Sequence, residues 1–308
     1  NYFKIHPVRT QRALEIIPGL FSWGLILFPF WGSLIIPDIV AYYIIAFAIY
    51  WLYKSLLLSV LAIAAHFKIQ AASKFDWIAD IKKDYPDTWN KIHHLIIIPT
   101  YKEPLTTLKR TLKALKNQKI PLKNIHVMLS LEEREGSDAR EKSKLLLEEF
   151  RGIFGNMWTT YHPDILGEVK GKSSNTCWGA KQAKKILIDE QGLDLNMVTI
   201  TSEDADAVFH PNYFAAVTQD FLFVEEPYNK IWQGAVVFYN NIWKVPSAVR
   251  VLSSMYSVIQ MHLLMRSDRL INFSTYTTSL KHVVDIDYWD TDVIPEDYRL
   301  FFKSYFAK

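Results

Sequence analysis

The chain of 308 residues has room for about two domains. Its charge is balanced, a net +3 with 22% charged residues, which excludes the strongly basic face that nucleic-acid binding needs. Cys177 is its one cysteine, which excludes a disulfide framework or a cysteine-built zinc site within the chain and fits a reducing compartment.

The first element is apolar. Residues 16–36, "IIPGLFSWGLILFPFWGSLII", carry no charge over about the 20 residues that a bilayer crossing takes. Pro37 and Asp38 make a break, and a second apolar run continues to Phe67. It is interrupted by Lys54, which lies near enough to its far end for the ammonium to snorkel into the interface. Arg9 and Arg12 precede the pair, Lys68 and Lys74 follow it, and the turn carries no Lys or Arg. This predicts a transmembrane hairpin with both ends cytoplasmic, hence an integral membrane protein whose following domain is cytoplasmic. A second apolar run argues against a cleaved signal peptide.

A polar linker, residues 80–91, separates this hairpin from short apolar runs that alternate with helical periodicity. Strands are predicted at 93–99, 125–131 and 196–201. Helices are predicted at 105–117, near 138–151, from Ser173 or Ser174 to about Glu190, and after Pro211. That alternation means βαβ units: an α/β domain with a mostly parallel sheet and helices on both faces. "GEVKGKSS" (167–174) is not a phosphate loop, because three rather than four residues separate its glycines.

Where the strand near 200 ends, "SEDAD" places Glu203, Asp204 and Asp206 together. Parallel sheets bind ligands at such carboxyl ends. In extended chain Asp204 and Asp206 project the same way with Ala205 turned aside, and paired carboxylates suit a hard cation, Mg2+ or Mn2+, that also takes oxygens from substrate phosphates. The same acids would equally serve as caps for the helix after Pro211. His210 is near enough to be a third ligand, although a cap or packing role fits it better.

Four further stretches make the chain resemble the family 2 glycosyltransferases, membrane-associated enzymes of the GT-A fold. "IPTYKE" (98–103) is similar to the family's first-strand motif, which implies that Thr100, Tyr101 and Glu103 line the nucleoside pocket. "LSLEERE" (129–135) stands where the family has an aspartate and offers Glu132 or Glu133 instead. "GKSSNTCWGAKQA" (171–183) resembles the segment before a helix in which Lys172 would approach the diphosphate and Asn175 the nearby loop. "DAD" matches the metal motif, so Asp204 and Asp206 would be its ligands. "DVIPEDYRLF" (292–301) resembles the downstream Glu-Asp motif, which implies that Asp297 is the general base with Glu296 beside it; by themselves the two would equally serve as first-turn acids of a helix after Pro295.

The resemblance implies transfer of a sugar, with inversion, from a nucleotide diphospho-sugar to a hydroxyl of a lipid-linked or saccharide acceptor, as in polysaccharide biosynthesis. The Gln-x-x-Arg-Trp motif of processive synthases does not occur in the 308 residues, so it lies further on or one sugar is added. Because "FFKSYFAK" ends without a stop signal, a longer protein is expected. The other reading the residues allow is an inactive membrane scaffold that binds a nucleotide-sugar or a partner synthase.

The expected organisation is a hairpin and juxtamembrane segment over 1–80, a nucleotide-sugar-binding half over 91–235, and an acceptor-side half over 236–308. That last half would include an amphipathic helix within 240–269, suited to a bilayer surface or to a core. Trp289 is a candidate to stack on an acceptor sugar, while Trp178 and Trp232 are expected to pack.

Overall fold

A computed structural model describes residues 7–307; the ends of the segments expected at 1–80 and 236–308, residues 1–6 and Lys308, lie outside them. The chain divides into two compact units, Asn1–Ile63 and Ala64–Lys308. The division falls inside a helix.

The first unit holds helix α1 (Pro7–Ile35) and most of α2 (Pro37–Lys74), both long and apolar enough to cross a membrane. Pro37, lacking an N–H, opens α2 at the place where the sequence suggests a break. Two helices can lie close there because of Gly32, where a Cβ would come within 2.8 Å of Val40. The Tyr43 hydroxyl donates to the Leu25 carbonyl at 3.1 Å, and its ring meets that of Phe28 edge-on. Both helices exceed the apolar runs read from the sequence: α1 begins at Pro7 and takes Pro18 and Pro29 into its interior, and α2 runs on to Lys74.

The second unit is a mixed α/β domain. Its elements are α3 (Trp77–Asp84), β1 (His93–Thr100), α4 (Leu105–Lys116), β2 (Ile125–Glu132), α5 (Ser137–Glu149), β3 (Asn156–His162), α6 (Lys172–Lys184) and β4 (Val198–Ser202), followed by α7 (Tyr213–Phe223), β5 (Ile231–Gln233), α8 (Ser247–Leu264), β6 (Tyr276–Ser279), α9 (Leu280–Asp285) and α10 (Glu296–Phe306). The six strands form one sheet in the order β3-β2-β1-β4-β6-β5. β1 to β4 are parallel; β6 runs antiparallel to β4, and β5 antiparallel to β6.

"HLIIIP" reads as an unbroken apolar run because both faces of β1 are covered. Ile96 and Ile98 pack with Leu108, Leu112 and Phe214 of α4 and α7. Leu95 and Ile97 face the other way, towards Cys177, Ala180 and Leu280 of α6 and α9. His94 is buried on the side of Ile96 and Ile98, its ring beside Phe214 and its ring nitrogens 2.8 and 2.9 Å from the hydroxyls of Thr199 and Thr218. Burial pushes its pKa down to about 3, so it stays a neutral strut between β1, β4 and α7.

Two features depart from the sequence reading. Part of the expected polar linker is the helix α3, capped by the Asp76 carboxylate on the Ala79 N–H, with Ile81 fully buried. The helix begun at Lys172 changes to π-type turns over residues 185–190. In addition, "YTTS" near the C-terminus supplies a strand, so the later part of the chain shares its sheet with the earlier part.

Candidate active site

In sequence order β2 and β3 are laid on one side of β1, and β4 then returns to the other side, so the order reverses between β1 and β4. Ligands of open α/β sheets bind at such a reversal, outside the carboxyl ends of the strands. Thr100 to Glu103 leave the end of β1, and Glu203 to Asp206 leave the end of β4. A ladder bond from the Glu203 N–H to the Ile97 carbonyl, 2.9 Å, fixes the second segment against the first.

Beyond β4 the three acids part company. Glu203 is fully buried and, among the described residues, neither of its carboxylate oxygens has a hydrogen-bond partner; burial first and then the charge of Asp204 raise its pKa well above the usual carboxylate range. Ala205 is buried in the core, with its carbonyl accepting from the Thr111 hydroxyl at 2.7 Å. Asp204 is half-buried and Asp206 exposed.

Asp204 is the centre of a charged cluster. Its Oδ1 lies 2.6 Å from Nζ of Lys172, the first residue of α6, and the same ammonium lies 2.7 Å from Oε1 of Glu296, the first residue of α10. Lys172 Nζ also donates to the Ser274 carbonyl at 2.6 Å. Ser274 Oγ donates to Asp204 Oδ2, and the Ser274 N–H donates to Asp297 Oδ2 at 2.8 Å. The Thr275 hydroxyl accepts from the Asp204 N–H at 3.0 Å, and Asn272 Nδ2 donates to the Asp297 carbonyl at 3.1 Å.

Thus Lys172, Asp204, Glu296 and Asp297, drawn from positions over a hundred residues apart, meet around one serine. Burial alone would lower the Lys172 pKa, but Asp204 and Glu296 outweigh it and raise it. Glu296 is raised, by burial against the opposing pull of Lys172.

The remaining sequence-predicted residues lie elsewhere on the strand ends. Thr100 is buried at the last position of β1. The Tyr101 ring is partly exposed, with the Arg134 guanidinium 4.1 Å from its centroid. Glu132, buried at the end of β2, pairs with Arg134 Nε at 3.2 Å and stands 3.7 Å from His162, which also contacts Glu168 at 2.9 Å. Glu133 is the exposed member of that pair, 3.7 Å from Arg140. The loop after β1 is tied down where Lys142 donates to the Glu103 carbonyl at 3.0 Å and pairs with Glu135, which accepts from the Lys102 N–H. Asn175 is not brought to this group: it is buried, and its amide exchanges hydrogen bonds of 2.7 and 2.9 Å with Ser130 of β2, which docks α6 on the sheet.

Trp289 is core and not a sugar platform, being 2% exposed with its Nε1 donating to the Tyr276 hydroxyl at 2.7 Å. Trp178 and Trp232 pack as expected, with their indoles bonded to Thr160 and Asp220. His210 Nδ1 accepts from the Asn212 N–H at 3.2 Å, a local turn. Sequence reasoning missed Ser274, Asn272 and Thr275. Only the antiparallel register that sets Ser202 against Tyr276 brings "NFST" beside Asp204.

Among the described residues, no group of three or more His, Cys, Asp or Glu side chains could hold an ion by itself. The donors present are nevertheless the right kind for a hard divalent cation, which commonly completes its shell with phosphate oxygens and water. Asp204 already carries a cation, the Lys172 ammonium.

No family model matches the chain, and no curated protein does. Among solved structures it is similar to the mannosyltransferase PcManGT from Pyrobaculum calidifontis in complex with GDP-Man and Mn2+, with 14% identity and a TM-score of 0.42 over 79% of this chain and 62% of that one. It is also similar to TarS 1-349 of S. aureus, with 13% identity and a TM-score of 0.42 over 70% of this chain and 56% of that one. The chain therefore spans less than two thirds of the length of these proteins.

Proposed function

We propose that the protein is a membrane-anchored, inverting glycosyltransferase of the GT-A type. It would move a sugar from a nucleotide diphospho-sugar to a hydroxyl of a saccharide or lipid-linked acceptor. The observation that carries this reading is the convergence of Asp204, Lys172 and Asp297 on Ser274, with Glu296 on the same ammonium, at the point where the strand order reverses.

Thr100, Tyr101, Glu103 and Glu132 would form the nucleoside side. Asp204 and Asp206 would hold Mg2+ or Mn2+ together with the donor's diphosphate, and the ion, when bound, supplies positive charge against the departing diphosphate. Lys172 adds a second positive charge there, at the N-terminus of α6 where backbone N–H groups also favour anions. Asn175 would act from behind, by fixing α6 on the sheet. Asp297 accepts the acceptor hydroxyl's proton as that oxygen attacks the anomeric carbon, and Glu296 holds Lys172 beside the departing group. α1 and α2 would anchor the chain with this domain on the cytoplasmic side. α8, which exposes Val251, Leu252, Met255 and Tyr256, would rest on the bilayer surface.

The test is release of nucleoside diphosphate from a panel of nucleotide sugars by the purified chain with Mn2+ and candidate acceptors. Asp204→Asn and Asp206→Asn should abolish metal-dependent turnover. Asp297→Asn should keep donor binding and lose about 10²–10⁴-fold in transfer. Wild-type protein that binds donor yet releases no diphosphate with any acceptor would favour the scaffold reading, and full transfer by Asp297→Asn would remove the base.

A further inference from the structure

β3 closes one end of the sheet. It pairs with β2 and with no other strand, so one edge of its seven residues presents N–H and C=O groups that have no ladder partner. Such an edge is a template for one more strand.

The sequence sets positive charge beside it. Arg140 and Lys144 share a face of α5, the crossover from β2 to β3, and Arg151 stands in the turn that follows the helix. Thr159 and Tyr161, alternate residues of β3 with their side chains on one face of the sheet, complete the wall of an open cleft of about 740 Å3. The wall is fixed in place. Arg140 lies on the Tyr161 ring, its guanidinium carbon 4.5 Å from the centroid, and the Tyr161 hydroxyl is 2.5 Å from Ser143 Oγ.

Glu148 is the one acid lining this cleft. Of its three cations only Arg140 is in an ion pair among the described residues, with the exposed Glu133 at 3.7 Å. Like charges gathered along a cleft repel one another, and an anion laid between them relieves that cost. The layout suits an extended anion better than a compact one. Arg140 and Lys144 are about 6 Å apart along the helix axis, and alternate side chains of a strand are roughly 6.7 Å apart. A second copy of β3 suits the edge poorly, because continuing the sheet from copy to copy would set cations against cations.

We propose that this cleft docks an extended acidic segment of a partner protein, which adds to β3 as a further strand. The segment's backbone takes the unpaired groups of β3, and Glu or Asp at every second position meets Arg140, Lys144 and Arg151. The cleft lies three strands from β4, so this inference is independent of the chemistry proposed around Asp204.

The experiment uses the full chain in detergent and a capped peptide of about ten residues that alternates glutamate with threonine and valine, with a lysine counterpart and inorganic tripolyphosphate as controls. The acidic peptide should slow hydrogen exchange over residues 156–162, and its affinity should fall as salt rises. Lys144→Glu combined with Arg151→Glu, both exposed positions, should weaken it about fivefold or more and should bind the lysine peptide more tightly than wild type does. That exchange of preference cannot come from a damaged fold.

Acidic-peptide binding that the paired charge reversals leave unchanged would overturn the proposal. So would binding with no protection over 156–162, and tripolyphosphate matching the peptide in that case would make the cleft a site for compact anions. A wild-type dimer already protected over 156–162 without peptide would give the edge to a second copy and overturn it as well.

Discussion

Glu203 and Asp204 are neighbours in sequence with opposite fates, and the difference is water. Glu203 is sealed in the core, and burial with the Asp204 charge beside it raises its pKa well above the usual carboxylate range. For an acid whose folded pKa is raised, the native state retains a proton that the unfolded chain gives up. Its contribution is therefore most favourable below the ordinary carboxylate pKa and declines as pH rises towards the folded value. Glu203→Gln, neutral at every pH, should gain on wild type in melting temperature between about pH 4 and about pH 8; an equal offset at both would show that Glu203 ionises in the fold. His162 shows the reverse sign. Burial would lower its pKa, but hydrogen bonds and charge from Glu132 and Glu168 outweigh burial and raise it. Its stabilisation is complete below the ordinary histidine pKa and is lost as pH climbs through the raised one. Thermal melts of His162→Gln should accordingly show a larger deficit at about pH 5.5 than at about pH 8.5.

Elements were legible in the sequence wherever one physical signal dominated. β1 and β2 are covered on both faces, so their residues are largely apolar, and α4 shows its leucines at helical spacing. β3, "NMWTTYH", is half-buried at the sheet edge and has neither an apolar run nor a clean alternation. β6, "YTTS", is four residues long and buries threonines whose hydroxyls are satisfied across the sheet, Thr277 meeting Thr201 at 2.8 Å. Such a strand carries no hydrophobic mark. The acids of the site were legible by type and spacing; Ser274 was not, because its role exists only through the β4–β6 register. α6 can sit close to the sheet because Gly179 has no Cβ, and one placed there would come within 2.9 Å of Ser130 Oγ and 3.0 Å of Ile97 Cγ2. Gly179→Leu should cost about 1–3 kcal/mol by overpacking, more than the roughly 1 kcal/mol of helix propensity it returns, as chemical denaturation would show.

For the whole molecule, the hairpin was read from composition and charge, and α1 and α2 are two helices suited in length and apolarity to that reading. With Cys177 buried and replaced by serine, a cysteine introduced as Asp38→Cys reports the turn between them. An impermeant maleimide should label it from outside intact cells; labelling only after permeabilisation would invert the proposed topology. The antiparallel partner of β4 also bears on how the protein is made. β4 ends at Ser202, whereas β6 begins at Tyr276. At synthesis rates of roughly 5–20 residues per second, one flank of β4 waits several seconds for its mate, a bare edge open to wrong pairing. The cluster cannot close until α10 emerges, so no chain stalled before Glu296 at the ribosome would hold a complete site.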